Sequence, residues 1–238
     1  MVRALTPEIS LFSVKLRKPM AYKPGQFVLL SGLGVEGPRA YSMTQHEPDS
    51  AELSFLIRKE AKGAFSKALF ADVSDARPLF VFGPLGRATF SCAEKRPFFA
   101  IAGGSGIAGI LSILHHAMVS GHFSKHSSHL VFGLREPERA YLLDELASAV
   151  EEAGGGLKVT IAFSDAPCPP EYAARFPSLR FLTGFAHDAV RQIFAEKAGA
   201  ANPIFFVAGP PQMVNATMRT LIAECKVSPT EIRYDRFG

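Results

Sequence analysis

The sequence predicts two domains: an antiparallel β-barrel or sandwich, followed by a doubly wound α/β domain with a parallel sheet. Its 238 residues suit one large domain or two small ones. Up to about residue 94, short runs of β-branched, aromatic and leucine residues are separated by turn signals. After residue 97, apolar runs alternate with helical segments. The link "CAEKRP" ends in a proline and marks the boundary, which gives domains of residues 1–95 and 96–238.

The N-terminal strands are predicted from five short runs, because glycine and proline between them indicate turns rather than helices. These runs are "EISLFSVKL", "QFVLLSG", "AYSMTQ", "AELSFLIRKE" and "PLFVFGPLG". The C-terminal strands are predicted from "FFAIA", "HLVFGL", "LKVTIAFS" and "PIFFVAG". Helical periodicity lies between and after them, near residues 106–120, 141–153, 187–198 and 211–225.

Composition indicates an ordinary globular protein, with 47% hydrophobic and 20% charged residues. Three cysteines lie far apart, so neither a disulfide framework nor a local zinc or iron–sulfur site is indicated, and we expect a reducing compartment. Charges at Arg3, Glu8 and Lys15 interrupt the apolar core that a signal peptide needs. We therefore expect a cytoplasmic protein.

Residues 97–124 contain no Asp, Glu, Lys or Arg and could be mistaken for a membrane helix. Four glycines within residues 103–109 would each weaken such a helix by about 1 kcal/mol relative to alanine. A strand, a turn and a helix explain the segment better. We expect no membrane association.

The two halves differ in charge. Residues 1–97 hold 14 Lys+Arg against 9 Asp+Glu, or +5, and residues 98–238 hold 12 against 13, or −1. A basic excess indicates either a solvated surface or a site for an anionic group or an acidic partner. Nucleic acid is not expected, because the chain has no Lys/Arg run and no basic stripe interleaved with aromatic residues.

Two segments of the α/β half point to one crevice. "GSGIAG" at residues 104–109 follows an apolar strand and fits G-x-G-x-x-G, a turn whose backbone N–H groups suit a pyrophosphate. "AGPPQM" at residues 208–213 ends another strand at a glycine, after which prolines begin a helix. Ligands of open α/β sheets bind at the carboxyl ends of strands. We expect both ends to flank one site.

The β half contains "RAYS" at residues 39–42, in which Arg39 can bind phosphate, Tyr41 can stack on a flat ring and Ser42 can donate or accept a hydrogen bond. On a strand, Ser42 points away from the face shared by Arg39 and Tyr41. "GAFS" at residues 63–66 can open a short helix whose free N–H groups and Ser66 face a phosphate. Together these segments suggest a nucleotide with a flat ring system.

Five motifs in register carry a family resemblance: "RAYS", "GAFS", "GPLG" at residues 83–86, "AGGSGIAG" and "AGPPQM". In this order and spacing they resemble the ferredoxin–NADP reductase superfamily, and most of all the flavin/NAD reductase components of bacterial oxygenases. The resemblance implies an antiparallel six-stranded flavin-binding barrel followed by a doubly wound parallel-sheet NAD(P)-binding domain. It also implies hydride transfer from NAD(P)H to FAD, rather than FMN, and single-electron transfer to a separate acceptor protein.

The resemblance assigns candidate residues to each cofactor. Tyr41 and Ser42 would be catalytic, with Ser42 near flavin N5. The flavin would be bound by Arg39, Tyr41, Ser42, Leu56, Ile57, Arg58, Gly63, Ala64, Phe65, Ser66 and the C-terminal Phe237. NADH would be bound by Gly104, Ser105, Gly106, Ile107, Arg135, Asp165, Gly209, Pro210 and Met213. For Phe237, a frayed chain end is the alternative.

The chain departs from the family pattern at two positions. Gly109 stands where the family usually has proline, and Ala208 where it usually has a cysteine that faces the nicotinamide. The four cysteine ligands of a plant-type ferredoxin domain are also missing. We therefore expect a monomer whose acceptor is another molecule, an acidic ferredoxin or the Rieske centre of an oxygenase.

Asp165 in "FSDAP" follows the third α/β strand and indicates which dinucleotide is used. A carboxylate there accepts hydrogen bonds from a ribose 2′-OH and repels a 2′-phosphate, so we expect NADH rather than NADPH. Arg135 in "FGLRE" could also reach the adenosine side.

Other functions were weighed. A flavin reductase that releases reduced flavin, and a flavin-binding module without activity, both remain compatible with the motifs. An α/β-hydrolase would use Ser105, Asp165 and His187 in that order, but G-x-S-x-G fails at Ile107. Five histidines fall within residues 115–129, without a carboxylate or cysteine among them, so we expect a solvated loop there and no metal site.

Overall fold

The computed structural model describes residues 2–71, 78–196 and 202–237. The N-terminal strands form two antiparallel three-stranded sheets in the orders β1-β2-β5 and β4-β3-β6, with a Met43–Phe55 bridge between them. Helix α1, Ala64–Ala71, lies between the last two strands in sequence. The six strands are β1 Val2–Ala4, β2 Ile9–Met20, β3 Phe27–Gly32, β4 Val35–Ser42, β5 Ser50–Arg58 and β6 Leu79–Leu85.

Side-chain alternation and turn chemistry explain these sheets. Along β3, Val28 and Leu30 are fully buried while their neighbours are half-exposed, as expected of a strand with one face on a core. Strands β3 and β4 are joined through Leu33 and Gly34, at φ +60° and +71°. Two successive positive φ values make the tight turn that matches strand twist. The antiparallel N-terminal domain expected from the sequence is confirmed.

The C-terminal strands form one parallel sheet in the order β10-β9-β8-β7-β11-β12. Its hydrophobic cores cover both faces. The strands are β7 Phe98–Gly103, β8 Ser128–Leu134, β9 Leu157–Phe163, β10 Arg180–Thr183, β11 Ile204–Gly209 and β12 Ile232–Arg236. The helices are α2 Ile107–Val119, α3 Leu143–Glu152, α4 Pro170–Arg175, α5 Ala186–Glu196 and α6 Pro211–Arg219. The doubly wound fold is confirmed.

Four short elements of the described chain were missed by the sequence prediction: β1, β10, α4 and β12. The predicted helix near residues 211–225 is also divided, because α6 ends at Arg219 and one π-helical turn, Thr220–Glu224, follows it. In the described part of the chain, no helix is both long and apolar enough to cross a membrane.

Helix α2 contacts the N-terminal domain through a short chain of hydrogen bonds. The Gly25 N–H donates to the Ser112 hydroxyl over 2.8 Å, and that hydroxyl donates to the Gly109 carbonyl over 2.8 Å. On another side of the junction, Arg3 of β1 pairs with Glu145 of α3 at 2.9 Å. Antiparallel sheets and parallel sheet thus meet along the helix that follows the glycine turn.

The connecting segment is held against the last strand. Arg233 of β12 donates to both carboxylate oxygens of Glu94, at 2.7 and 2.8 Å, and also to the carbonyl of Thr89. Arg96 pairs with Glu231 just before the same strand. The bidentate Arg233–Glu94 pair and the single Arg96–Glu231 contact therefore fix the connecting segment to the edge of the sheet.

Candidate functional site

The carboxyl ends of β7 and β11 meet where the strand order reverses, the position at which open α/β sheets bind ligands. A 3₁₀ turn, Gly104–Gly106, leads from β7 into α2. A Cβ on Gly106 would lie 2.6 Å from the Ala208 carbonyl oxygen, so glycine is what lets the turn pack on β11. Gly104 has φ +51°, and its Cβ position faces open space. The turn presents bare backbone at a helix N-terminus, which suits an anionic group.

The end of β11 forms the other side of this crevice. Gly209 has φ +156°, and a Cβ there would lie 3.2 Å from the backbone nitrogen of Gly103. Pro210 is the N-cap of α6, and Met213 in the first turn of that helix contacts both glycines. The structure thus brings together residues that the sequence predicted for dinucleotide binding on two separate segments.

A cleft between the two domains opens beside this crevice, and we call it the interdomain cleft. It is lined by Gly25, Ser42, Ala88, Gly109, Ile110, Ile113, Phe206, Val207, Ala208, Arg233, Asp235 and Phe237. Ser42 is 5% exposed, and its hydroxyl makes no hydrogen bond with any residue that the structure describes. A buried hydroxyl without a partner costs about 1–3 kcal/mol, so this group is poised to bond a ligand.

Asp235 is a cleft residue that the sequence analysis missed. It lies on β12, in register with Ala208 on β11, and lines the same cleft as Ser42. Burial raises the pKa of its carboxyl. The neighbouring cation Arg233 is engaged by Glu94 and does not neutralise it. The protonated form of this carboxyl is therefore favoured more than that of a carboxyl in water. The available signal was the alternation of "YDRFG", which places Asp235 and Phe237 on one face.

Phe237 is tied to the sheet. Its N–H donates to the Gly209 carbonyl over 3.1 Å, and its side chain packs on the central core. The ring also lines the interdomain cleft. Of the two alternatives for this residue, the frayed end is wrong.

Arg39 and Tyr41 occupy β4 as predicted, with Ser42 on the opposite face. The Tyr41 ring is stacked on Phe65, with centroids 6.0 Å apart, and burial raises its pKa to about 12. Tyr41 therefore stays neutral and offers a flat, half-buried face. Arg39 is exposed, donates to the Pro38 carbonyl at 3.0 Å and forms no ion pair within residues 2–71, 78–196 and 202–237. Its guanidinium is available for an anion.

The remaining flavin candidates have different surroundings. The side chains of Leu56 and Ile57 are buried in the core, so only their backbone can line a ligand. Arg58 is exposed and lies 3.5 Å from Glu8 and 3.8 Å from Glu60.

The turn before α1 corrects one detail of the sequence prediction. The Ser66 hydroxyl accepts from the Glu60 N–H at 3.0 Å and donates to the Gly63 carbonyl at 3.2 Å. Ser66 is buried, as is Phe65, so neither side chain faces outward. The prediction that the Ser66 hydroxyl faces a phosphate is wrong, because local backbone groups already satisfy it. Helix α1 begins at Ala64, and the backbone N–H groups of its first turn remain.

Arg135 and Asp165 lie together beyond β8 and β9. The Arg135 Nε donates to Asp165 over 2.9 Å, and the Ser164 hydroxyl donates to its other oxygen over 2.5 Å. These hydrogen bonds, Ser164 first and Arg135 second, lower the Asp165 pKa and hold it charged. Phe185, 56% exposed, follows β10 at the same edge and was not anticipated from the sequence. In the sequence, a large apolar residue directly after Gly184, which follows the strand, could have indicated it.

The hydrolase alternative has no geometric support. Asp165 is bonded to Ser164 and Arg135, whereas His187 stacks on Phe185 and lies 3.7 Å from Asp188. Ser105, Asp165 and His187 are therefore not linked as a triad would require.

The histidine-rich segment is not simply a solvated loop, and that expectation is wrong for two of its members. His122 and His129 are each 4% exposed and hydrogen-bond to Ser128 and Thr160. Among the residues that the structure describes, no group of histidine, cysteine, aspartate and glutamate side chains could hold a metal ion.

The donor set fits a flavin nucleotide beside a nicotinamide dinucleotide. The guanidinium of Arg39, which has no ion-pair partner among the described residues, suits a phosphate, and the neutral ring of Tyr41 suits a flat heterocycle. The orphaned Ser42 hydroxyl suits a polar ring atom at the cleft. Bare backbone at the glycine turn suits a second pyrophosphate.

Comparisons with known proteins agree with this geometry. Residues 2–90 match the family described as "Oxidoreductase FAD-binding domain", and residues 100–219 match "Oxidoreductase NAD-binding domain". The ferredoxin–NAD(+) reductase component of the alkene monooxygenase system of Xanthobacter autotrophicus is 31% identical over 219 residues, covering 92% of this chain and 62% of that protein. The ferredoxin–NAD(P)(+) reductase component of the naphthalene 1,2-dioxygenase/salicylate 5-hydroxylase systems of Ralstonia sp. is 29% identical over 232 residues. That match covers 98% of this chain and 65% of that protein.

Among solved structures, the ferredoxin reductase in carbazole 1,9a-dioxygenase matches with a TM-score of 0.83 and 26% identity, covering 100% of this chain and 67% of that one. The chain thus spans less than two thirds of the length of the two curated relatives above. Both of its halves match oxidoreductase families, in the order that the fold requires. The chain belongs to the ferredoxin–NADP reductase superfamily, with an FAD-binding domain followed by an NAD-binding domain.

Proposed function

We propose that this chain is an NADH-dependent, FAD-containing reductase that passes single electrons to a separate acceptor protein, a ferredoxin or the Rieske centre of an oxygenase. The observation that carries the proposal is the buried, unpartnered Ser42 hydroxyl in a cleft with walls from both domains. The names of the relatives support it, because they describe reductase components of oxygenase systems. NAD(P)H:flavin reductase activity, with release of reduced flavin, is the competing function.

Bound FAD would supply the exchange between two-electron and one-electron transfer that amino-acid side chains cannot perform. Arg39 and the backbone N–H groups at residues 64–66 would hold its phosphates, since the guanidinium is unpaired and the N–H groups begin a helix. Tyr41 would pack against the ring system, and the backbone of residues 56–58 would line it. FAD is proposed rather than FMN, because the first domain carries both a guanidinium and a helix start for phosphate groups.

The nicotinamide end of NADH would enter the interdomain cleft. The backbone of residues 104–107 would bind the pyrophosphate, while Gly209, Pro210 and Met213 form the opposite wall. Ala208 has a small side chain and lines the cleft together with Ser42. Ser42 would hydrogen-bond the reacting edge of the flavin ring. Asp235 would hold a proton at its carboxyl, and Phe237 would exclude water from the cleft.

Preference for NADH is proposed from the pair at the adenosine end. Asp165 is held charged and accepts hydrogen bonds, as binding of a ribose 2′-OH requires. Arg135 is the nearest cation and is already engaged by Asp165, so it does not compensate a 2′-phosphate. Phe185 offers an exposed aromatic face to the adenine at the same edge of the sheet.

An acidic partner surface is proposed from the charge of the first domain, which is +5 over residues 1–97. Arg17 and Lys18, on the exposed end of β2, make no ion pair with any described residue. Such cations steer an acidic acceptor without holding it tightly. We further propose a cytoplasmic monomer.

The domain boundary is proposed at residues 95 and 96. Lys95 adopts a left-handed conformation at φ +49° and ends the 3₁₀ turn Cys92–Glu94. Arg96 then bonds backbone carbonyls of Asn202 and Pro203 beside β11. The chain thus turns at Lys95 and joins the parallel sheet immediately afterwards.

The test begins with gel filtration of the purified protein, followed by NADH oxidation with a one-electron acceptor protein. Retained FAD and acceptor-dependent turnover are expected. Flavin that exchanges freely, together with turnover that depends on added flavin, would instead support the flavin reductase. Ser42→Ala should lower turnover, whereas Ser124→Ala, which removes an exposed hydroxyl outside the cleft, should not. A yellow protein without NADH oxidation by any acceptor would refute both functions.

A further inference from the structure

One face of α2 carries a series of contacts to the N-terminal domain. Gly109 lies against Ser42, and Ser112 binds the Gly25 N–H at 2.8 Å. One turn further along, His115 and His116 meet the loop that follows β4. The contacts that shape the interdomain cleft and the contacts of the two histidines therefore lie on the same helix, three to seven residues apart.

His46 is the partner of these histidines in the N-terminal domain. Its backbone carbonyl lies 3.1 Å and its backbone nitrogen 3.4 Å from Nδ1 of His115. Its ring meets the ring of His116 edge-on, with centroids 4.8 Å apart. Its Nε2 donates to the Tyr22 carbonyl over 2.8 Å, which fixes the ring. We call His46, His115 and His116 the histidine seam.

An aromatic ring, Phe90, links the seam to two further histidines, His122 and His126. Phe90 lies 6.3 Å from the His116 ring and 5.1 Å from that of His122. His126 lies 4.8 Å from His122. These outer contacts do not reach the N-terminal loop, so His126 provides a matched control within the same group of histidines.

A protonated histidine in this group would carry a positive charge without an ion-pair partner among the described residues. Burial, then His46 and His115, lower the pKa of His116. Burial, then His126 and His116, lower that of His122 to about 4.

The charged groups nearest along the chain are Glu47 and Asp49 on the loop and Lys125 after α2, all exposed. None of the histidines of the seam forms an ion pair within the described ranges.

We propose that the histidine seam is a pH-sensitive joint between the two domains, which is closed when the His116 ring is neutral against His46 and loosens when His116 is protonated. Loosening separates residues 43–49 from α2 and widens the interdomain cleft between Ser42 and Gly109. The proposal concerns domain docking and does not depend on the identity of the electron acceptor.

The direction follows from proton linkage. In the closed state, burial and then His46 and His115 lower the pKa of His116, whereas in the open state this imidazole regains an ordinary pKa of about 6.5. The open state therefore binds more protons, and opening is favoured as the pH falls below about 6.5. The opening equilibrium can rise up to about tenfold per pH unit for each histidine involved. Above about pH 7 the joint should be insensitive to pH.

The experiment is hydrogen–deuterium exchange of the FAD-loaded protein at pH 7.5 and 5.5, with rates corrected for the intrinsic effect of pH. The Gly25 amide is the reporter, because it donates across the junction to Ser112. About a tenfold or greater loss of protection is expected at Gly25 and residues 43–49 in the wild type. The double variant His46→Gln/His116→Gln should show less than about a twofold change, and His126→Gln should behave as the wild type.

Equal loss in the wild type and the double variant would overturn the proposal, as would loss spread over the whole chain. If the double variant does not fold, His116→Gln alone replaces it, because this residue is only half-buried on α2. An unchanged loss in that single variant would equally refute the joint.

Discussion

Replacing Gly106 by alanine tests whether the glycine turn is built to pack on β11. The residue is helical, at φ −61°, so alanine is conformationally allowed and would by itself stabilise the protein by about 0.4–1 kcal/mol. The new Cβ, however, would lie 2.6 Å from both the Ala208 carbonyl oxygen and the Gly209 Cα. These are backbone atoms that cannot rotate away. Overpacking of this kind costs about 1–3 kcal/mol, so net destabilisation of about 1–2 kcal/mol is expected.

Gly109→Ala is the matched control, three residues further along the same helix. Its Cβ would lie 3.6 Å from the nearest atoms, an ordinary contact, so the variant should be slightly more stable than the wild type. Thermal unfolding would report both, with about 2–4 °C per kcal/mol for a chain of this size. Gly106→Ala should also raise the KM for NADH, because the turn and the end of β11 are pushed apart. A Gly106→Ala protein as stable as the control would refute the packing argument.

Three further predictions concern the chemistry of the site. Ser42→Ala should lower kcat about tenfold with little effect on the KM for NADH, as expected for loss of one hydrogen bond in the interdomain cleft. Stopped-flow measurement of flavin reduction gives this rate, and an unchanged rate would contradict the role assigned to Ser42. Asp235→Asn should change the pH profile: the wild type loses activity as pH rises through the raised pKa of Asp235, and the variant should lack that limb, while superimposable profiles would exclude the residue. Asp165→Ser should free Arg135 and shift the ratio of kcat/KM toward NADPH by about tenfold or more, whereas a wild type that already prefers NADPH would refute the role of this pair.

Whether a strand could be predicted from the sequence depends on how it is buried in the fold. Strands β7, β8, β9 and β11 are covered on both faces, and their continuous apolar runs make them recognisable. Strand β12, "IRYDR", lies at the sheet edge, and three of its five residues are charged. A strand with that composition gives no hydrophobic signal, because one of its faces lines a cleft and the other is exposed.

The site could be predicted where the type of a residue is enough to indicate what it binds. This holds for Arg39, for Tyr41 and for the glycine turn. Ser66 does not, because its hydroxyl can satisfy local backbone groups as readily as a ligand. Asp235 was missed for a related reason, since only the parallel register with Ala208 places it in the cleft.

The burial of His122 could not be read from its neighbours in sequence. Its imidazole stacks on Phe98, with ring centroids 5.6 Å apart, and approaches Phe90 at 5.1 Å. A neutral imidazole is tolerated among aromatic rings when one ring nitrogen has a partner, here Ser128. The nearby sequence is rich in polar residues and suggested solvent instead.

The position of β12 in the chain determines when the site can form during synthesis. Its residues Asp235 and Phe237 complete the interdomain cleft, yet they come almost 200 residues after Ser42 on the opposite wall. Arg233, which fastens the connection between the domains, arrives at the same stage. A nascent chain therefore carries Arg39, Tyr41 and Ser42 long before any cleft exists for NADH to enter. The interdomain cleft is complete only when the last described strand has been added to the sheet.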